Sequence, residues 1–196
     1  MNEENVQNYI PQSSRNEVLA FAWETIKVVV ISLAIILPIR YYLVQPFFVK
    51  GASMEPNFED GDYLLVDELS YRFSSPERGD VIIFRYPNDP SQFFIKRIIG
   101  LPSETVEIKD NAVKIYNKDI PEGFVLDESY LASEQKTLGN TVVRIDDNEY
   151  FVLGDNRLQS SDSRRWGMVN KSLITGRAFL RPWPLTKDIK IPLVNY

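Results

Sequence analysis

One serine stands in the segment VKGASMEP, Val49 to Pro56, directly behind Gly51 and Ala52. Small residues at such a place let another backbone approach closely. A serine in a Gly-containing loop is ordinarily an inert turn residue, and Ser53 becomes a nucleophile only if another part of the chain supplies a base. The chain contains no His and no Cys. That removes histidine general bases, thiol chemistry and every common zinc site built on imidazole or thiolate, and leaves hydroxyl, amine and carboxylate chemistry.

One amine is unusually placed. In FFIKRIIGLP, Phe93 to Pro102, Lys96 is surrounded by apolar neighbours. Strand alternation sets Phe94, Lys96 and Ile98 on one face and Ile95, Arg97 and Ile99 on the other. A lysine sharing a face with Phe and Ile is partly desolvated, which favours the neutral amine and lowers its pKa. A general base requires this, because a free lysine with a pKa near 10.4 is almost wholly protonated at pH 7. A solvated edge-strand lysine that blunts aggregation is the competing explanation. A third segment, GDNRLQSSDSRRWG from Gly154 to Gly167, packs Asp155, Arg157, Asp162, Arg164 and Arg165 among Ser160, Ser161 and Ser163. It reads either as a paired network at a strand end or as a solvated polar loop.

The elements that must position these groups follow from apolar patterning. After Pro46 the chain breaks into short β-prone runs separated by Gly, Pro, Asp and Asn, which predicts a mostly β, antiparallel domain over residues 46–196. The expected strands are Tyr63 to Asp67, Asp80 to Tyr86, Phe93 to Ile99, Thr105 to Lys109, Ala112 to Tyr116, Glu149 to Leu153 and Ile174 to Arg181. Alternating Val106, Ile108, Val113 and Ile115 around Asp110 and Asn111 predict a tight hairpin. Pro121 to Thr141 is polar and reads as an inserted loop.

Ahead of this domain, Ile26 to Val44 supplies about 19 mostly apolar residues, about 28 Å of helix, enough for one membrane span over residues 26–45. Lys27 and Arg40 can snorkel from its ends, Pro38 would kink it, and Tyr41 and Tyr42 suit an interfacial belt. A buried core helix or a cleaved export signal would give a similar pattern. Residues 1–25 form a polar tail, with no structure expected before Asn16. Lys and Arg counts on the two sides are too balanced to orient the span. The net charge of −5, with no long basic run, argues against nucleic acid as a partner.

Four segments together resemble the boxes of bacterial type I signal peptidases, the serine-lysine leader peptidases: SMEP at Ser53 to Pro56, RGDVIIF at Arg78 to Phe84, KRIIGLP at Lys96 to Pro102 and GDNRLQSSDSR at Gly154 to Arg164. The resemblance covers about Ile26 to Trp183. It implies that Ser53 is the nucleophile, Lys96 the general base and Ser160 the serine that orients the amine, with Arg97, Asp155, Asp162 and Arg164 as bracing ion pairs. It implies substrate-pocket walls at Val49, Met54, Phe58, Phe94 and Ile95, small enough in depth to admit alanine. It also implies signal peptides of preproteins as substrates, cut after a small-x-small motif, and neither metal nor other cofactor. The same resemblance implies a single-pass protein of the plasma membrane, embedded in the lipid bilayer near the secretion translocon, with the catalytic domain on the outer face.

Three positions depart from the family pattern. Gly51 stands where some members carry a serine hydroxyl that helps hold the oxyanion, so a backbone N–H or water must serve instead. Asn57 replaces the usual Thr after the proline, and Ser103 replaces the glycine after GLP; neither is expected to touch the dyad. Two other classes fit parts of the pattern. A self-cleaving serine-lysine repressor would lack the anchor, and a non-enzymatic peptide-binding β domain would not need Ser53, Lys96 and Ser160 together.

Overall fold

The computed structural model describes residues 13–42, 44–185, 191 and 194. The chain divides into two units, with the boundary between Tyr41 and Tyr42. The first is one helix, α1, Ser13–Tyr42. Its stretch Asn16–Leu37 is 22 residues, none of it buried in protein, and is long and apolar enough to cross a membrane. The helix therefore starts well before Ile26. Val18, Leu19, Phe21 and Trp23 extend the apolar run, and Lys27 is accommodated by an ion pair one turn back with Glu24, at 2.6 Å. Tail and span thus need a new boundary. At the other end Val44 and Gln45, expected within the span, begin strand β1, Val44–Phe48.

The second unit is built on two antiparallel sheets. Its strands are β2 Tyr63–Asp67, β3 Val81–Tyr86, β4 Asp89–Gly100, β5 Thr105–Lys109, β6 Ala112–Tyr116, β7 Phe124–Val125, β8 Thr141–Arg144, β9 Glu149–Leu153, β10 Val169–Asn170 and β11 Ile174–Trp183. One sheet has the order β1-β2-β11-β3-β4-β9-β10 and the other β7-β6-β5-β8. Two one-turn helices, α2 Ser70–Phe73 and α3 Ser163–Trp166, complete the elements used below. The hairpin between β5 and β6 turns on Asp110 and Asn111, whose φ of 53° and 63° are the left-handed values a type I′ turn demands.

The large sheet curls on itself. Phe47 of β1 and Phe93 of β4 meet edge to face with centroids 5.2 Å apart, although three strands lie between theirs in the sheet order. Inside the curl a core of Met54, Phe58, Leu64, Val66, Val81 and Ile83 excludes water. On the other side of β3 and β4 a second core gathers Ile82, Phe84, Ile98 and Val152. The alternation along β3 and β4 supplies one set of apolar side chains to each. Pro121 to Thr141 is not wholly irregular: Phe124 pairs with Ile115 of β6, and Thr141 opens β8. A two-residue strand is too short to leave a period in the sequence.

Candidate active site

Ser53 sits in the turn between β1 and β2, which is held by its own backbone. Val49 N–H donates to Asp62 O at 2.9 Å, Gly61 N–H to Val49 O at 3.0 Å, and Phe58 N–H to Met54 O at 3.0 Å. Gly51 adopts a φ of +83°, which the missing Cβ permits, and its N–H is taken by the Asp60 carboxylate at 2.7 Å. The Gly51 N–H is therefore not free to act as a second oxyanion donor. Among the described residues no acceptor pairs with the Ser53 N–H.

Lys96 comes from the middle of β4, opposite Ile82 of β3. Only 3% of it is exposed. Its Nζ lies 2.8 Å from Ser53 Oγ and 2.7 Å from Ile95 O, with the Phe94 ring 5.5 Å away. Burial pushes the amine down from 10.5 to about 8, against the opposing pull of the Asp162 and Asp155 carboxylates. As an ammonium, Nζ donates to both oxygens. As a neutral amine it keeps an N–H on Ile95 O, and the 2.8 Å contact reverses: the Ser53 hydroxyl donates to the nitrogen lone pair. The second state is the one able to take the serine proton.

The third piece is the loop after β9, which β4 positions through the Arg97–Leu153 register. Arg97 grips Asp155 with two parallel bonds, Nε–Oδ1 at 2.9 Å and Nη2–Oδ2 at 2.6 Å, and its Nη1 donates to Gly79 O at 2.8 Å. Asp162 is paired in the same way with Arg164, at 2.8 Å twice, and accepts from Gly154 N–H at 3.1 Å. Each buried carboxylate thus has a planar guanidinium partner plus further donors, the condition under which burying such pairs is tolerable. The loop then packs directly on the serine turn. Asn156 N–H donates to Ser53 O at 3.1 Å, and a Cβ on Gly154 would fall 2.4 Å from that same oxygen and 2.2 Å from Ser160 Oγ.

Ser160 is placed beside the dyad but not on the amine. Its hydroxyl is buried, and among the described residues it has no hydrogen-bond partner, while the second bond of Lys96 goes to Ile95 O. The Ile95 carbonyl takes the place on the amine expected of the serine.

A groove of about 740 Å³ opens on Ser53 and Lys96. Val49, Phe94 and Ile95 line it, together with Phe47, Leu64 and Ile83. Met54 and Phe58, expected as walls, do not: both are wholly buried in the core behind it. Their side chains are directed inward from a turn that must close over its own core. One long wall is β4 itself. Strand β9 covers β4 only from Arg97 to Gly100, so Gln92 to Lys96 present an edge toward the groove that no described strand occupies.

Two contributors were not legible as such. Asn57 Nδ2 donates to Asp155 Oδ2 at 2.9 Å, so this residue belongs to the bracing network, from the turn that carries Ser53. Arg157, noticed only as one charge among several, is 2% exposed and donates from Nε to Gly154 O at 3.0 Å. Ser103 adopts a φ of 67°, a value that explains why glycine is at home there, and its hydroxyl is tied to Asp147 at 2.6 Å, away from the groove.

The comparisons agree on one family. The family model described as signal peptidase, peptidase S26, matches residues 22–183. A probable signal peptidase I-1 from Synechocystis sp. is 35% identical over 174 residues, 85% of each chain. A signal peptidase I from Bacillus amyloliquefaciens is 39% identical over 165 residues, 79% of this chain and 81% of that one. A crystal structure of a signal peptidase I from Enterococcus faecalis V583 is 32% identical, with a TM-score of 0.45, covering 53% of this chain and 97% of that one. The match over most of the chain, including all four boxes around the groove, establishes that this protein belongs to the signal peptidase family, peptidase S26.

Proposed function

We propose that the protein removes N-terminal signal peptides from exported preproteins, with Ser53 as nucleophile and Lys96 as general base. Membership in the peptidase S26 family makes it a hydrolase of the protease class and supports signal-peptide removal by a serine protease. The observation that carries the finer reading is the 2.8 Å contact between Ser53 Oγ and a buried amine pushed down to about 8. Near pH 8 about half of such amines are neutral, whereas a free lysine is almost wholly charged.

In this reading the neutral Lys96 takes the hydroxyl proton as Ser53 Oγ attacks the scissile carbonyl. Charge developing on the carbonyl oxygen is met by the Ser53 N–H. Lys96 then gives its proton to the leaving amine, and the signal peptide remains as an acyl ester on Ser53. A water, deprotonated by the same amine, hydrolyses the ester and restores the serine. Asp155 and Asp162 hold the loop behind the dyad, each through its ion pair with an arginine.

The substrate enters as an extended strand. The open edge of β4 at Gln92 to Lys96 offers main-chain partners, and alternate side chains of the peptide drop onto the apolar floor of Val49, Leu64, Ile83 and Ile95. Those four leave depth for small side chains, which is the origin of a small-x-small requirement. Helix α1 anchors the enzyme in the bilayer through Asn16–Leu37, with the catalytic unit on the outer face close to the translocon. Incubating the purified protein with a preprotein in detergent and weighing the products tests the reading. Cleavage after a small-x-small motif is expected; an intact preprotein, or a cut elsewhere, refutes it.

A further inference from the structure

Outside the dyad, Arg157 makes four side-chain hydrogen bonds near the site, and most of its partners come from one segment. Its Nη1 donates to the Glu128 carboxylate and to Thr137 Oγ1, and its Nη2 to the Tyr130 hydroxyl at 2.7 Å. All three partners lie in the segment between β7 and β8. The same segment reaches the site twice more. The Tyr130 ring lies 4.4 Å from the Arg97 guanidinium, and Tyr130 O accepts from Asn57 Nδ2 at 3.2 Å. Gln135 adds bonds to Asn156 Oδ1 at 3.3 Å and to Leu158 N–H at 3.4 Å. Not one residue of the segment lines the groove.

We infer that residues 128–137 are a strap that holds the catalytic loop in register, with Glu128 and Tyr130 as positioning residues acting through Arg157 and Arg97. The physical chain is short. Arg157 Nε holds Gly154 O, and Gly154 is the residue pressed against Ser53 O and Ser160 Oγ. Arg97 follows Lys96 directly and fixes Asp155. Glu128 supplies the charge that makes a guanidinium acceptable at 2% exposure, and without it Arg157 must move toward water and release Gly154. A slip of the loop changes the approach of Ser53 Oγ to Nζ and to the scissile carbon, where reactivity is most sensitive to distance. It touches the groove only at Gln159 and Ser161, while the walls on β1 to β4 stay as they were, so turnover should fall more than substrate affinity.

The inference rests on the Ser53–Lys96 reading, and its test separates the two. The full chain in detergent carries Glu128→Ala, Glu128→Gln, Tyr130→Ala or Tyr130→Phe, with Val113→Ala in the small sheet as a variant that loosens a core without touching the loop. Steady-state cleavage of a preprotein gives kcat and KM, and hydrogen exchange gives the protection of the Gly154 and Asn156 amides, which bond to Asp162 and to Ser53 O. Glu128→Ala and Tyr130→Ala should lower kcat about 10- to 100-fold, leave KM within about two-fold, and speed exchange at both amides. Tyr130→Phe keeps the ring over Arg97 and should recover most of kcat, whereas Glu128→Gln keeps an acceptor without the charge and should fall between Glu128→Ala and wild type. Val113→Ala should keep kcat while both proteins are folded. Wild-type kcat in folded Glu128→Ala and Tyr130→Ala, a change confined to KM, or an equal loss in Val113→Ala overturns the strap. Should the alanine variants not fold, Glu128→Gln decides: a smaller kcat loss with faster exchange supports the strap, and wild-type values overturn it. If the wild type cleaves no preprotein, the function reading fails on its own, and unchanged amide protection in the variants would still sink the strap.

Discussion

Replacing Lys96 by Met should kill the enzyme and change its stability with a defined pH dependence, the variant being favoured most at low pH. The folded protein holds this amine at about 8, against 10.5 for an unburied lysine. Between those values the unfolded chain binds a proton that the folded one does not. Stability therefore rises with pH across that window, and the burden is complete below pH 8. At 1.36 kcal/mol per unit the lysine costs about 3 kcal/mol at pH 6 and less than about 1 kcal/mol at pH 10. Methionine fills similar volume without a charge. It also forfeits the bonds to Ser53 Oγ and Ile95 O, a loss of about 1 kcal/mol each that does not vary with pH. The unfolding free energy of the variant minus that of the wild type should thus fall by about 2 to 3 kcal/mol from pH 6 to pH 10, whatever its offset. Titrating groups elsewhere are common to both proteins and cancel. Urea unfolding of both chains in one detergent, followed by near-ultraviolet circular dichroism, measures it. A difference constant to within about 0.5 kcal/mol over that range would show that Lys96 is not desolvated, and the general-base argument would fall with it.

Ser53→Ala should fold normally and lose cleavage by at least about 100-fold, so residual turnover above that in a preprotein assay rules out the nucleophile. Lys96→Arg should be as inactive as Lys96→Ala despite keeping the charge, because guanidinium stays protonated. Wild-type kcat/KM should climb on its acid limb through about pH 8 as the amine becomes neutral, and a profile flat from about pH 6 to 10 contradicts this. Chains truncated before Leu43 should fold and cleave a soluble peptide. Removal of a further six residues, through Phe48, takes away β1 and a groove wall, so near-ultraviolet signal and activity should both drop. Ile95→Ala deepens the groove floor and should shift the tolerated residues before the cut toward larger ones, read by mass from a peptide series.

Lys96 could be read from sequence because its desolvation is local: five of its six nearest neighbours in the strand are Phe or Ile, and a strand carries that pattern wherever it packs. The hairpin at Asp110 and Asn111 was legible for the same reason. Strand β1 was not, since VQPFF continues the apolar run of the helix before it and nothing in its composition marks the change. Met54 and Phe58 are groove walls by the family resemblance, whereas in the structure the turn that carries Ser53 turns both inward to fill its own core. Asn57 and Asp155 are 98 positions apart, and Glu128 and Arg157 are 29 apart. Pairings of polar groups at such separations leave no periodic trace, so the network around the loop appeared only as a dense run of charge.

The close packing of Gly154 on the Ser53 turn has a temporal side. The two are about 100 residues apart in the chain, and Lys96 lies 43 residues from Ser53. Contacts of such long range form late, after loop closures that must be completed before they contribute. Until β9 docks on β4 and the following loop seats on the serine turn, Ser53 is a surface hydroxyl facing a lysine that water still keeps protonated. A partly folded chain, emerging among extended polypeptides of the sort it would cut, therefore has no working nucleophile. On the proposed mechanism, catalysis therefore waits for β9 and the loop behind it to seat on the serine turn.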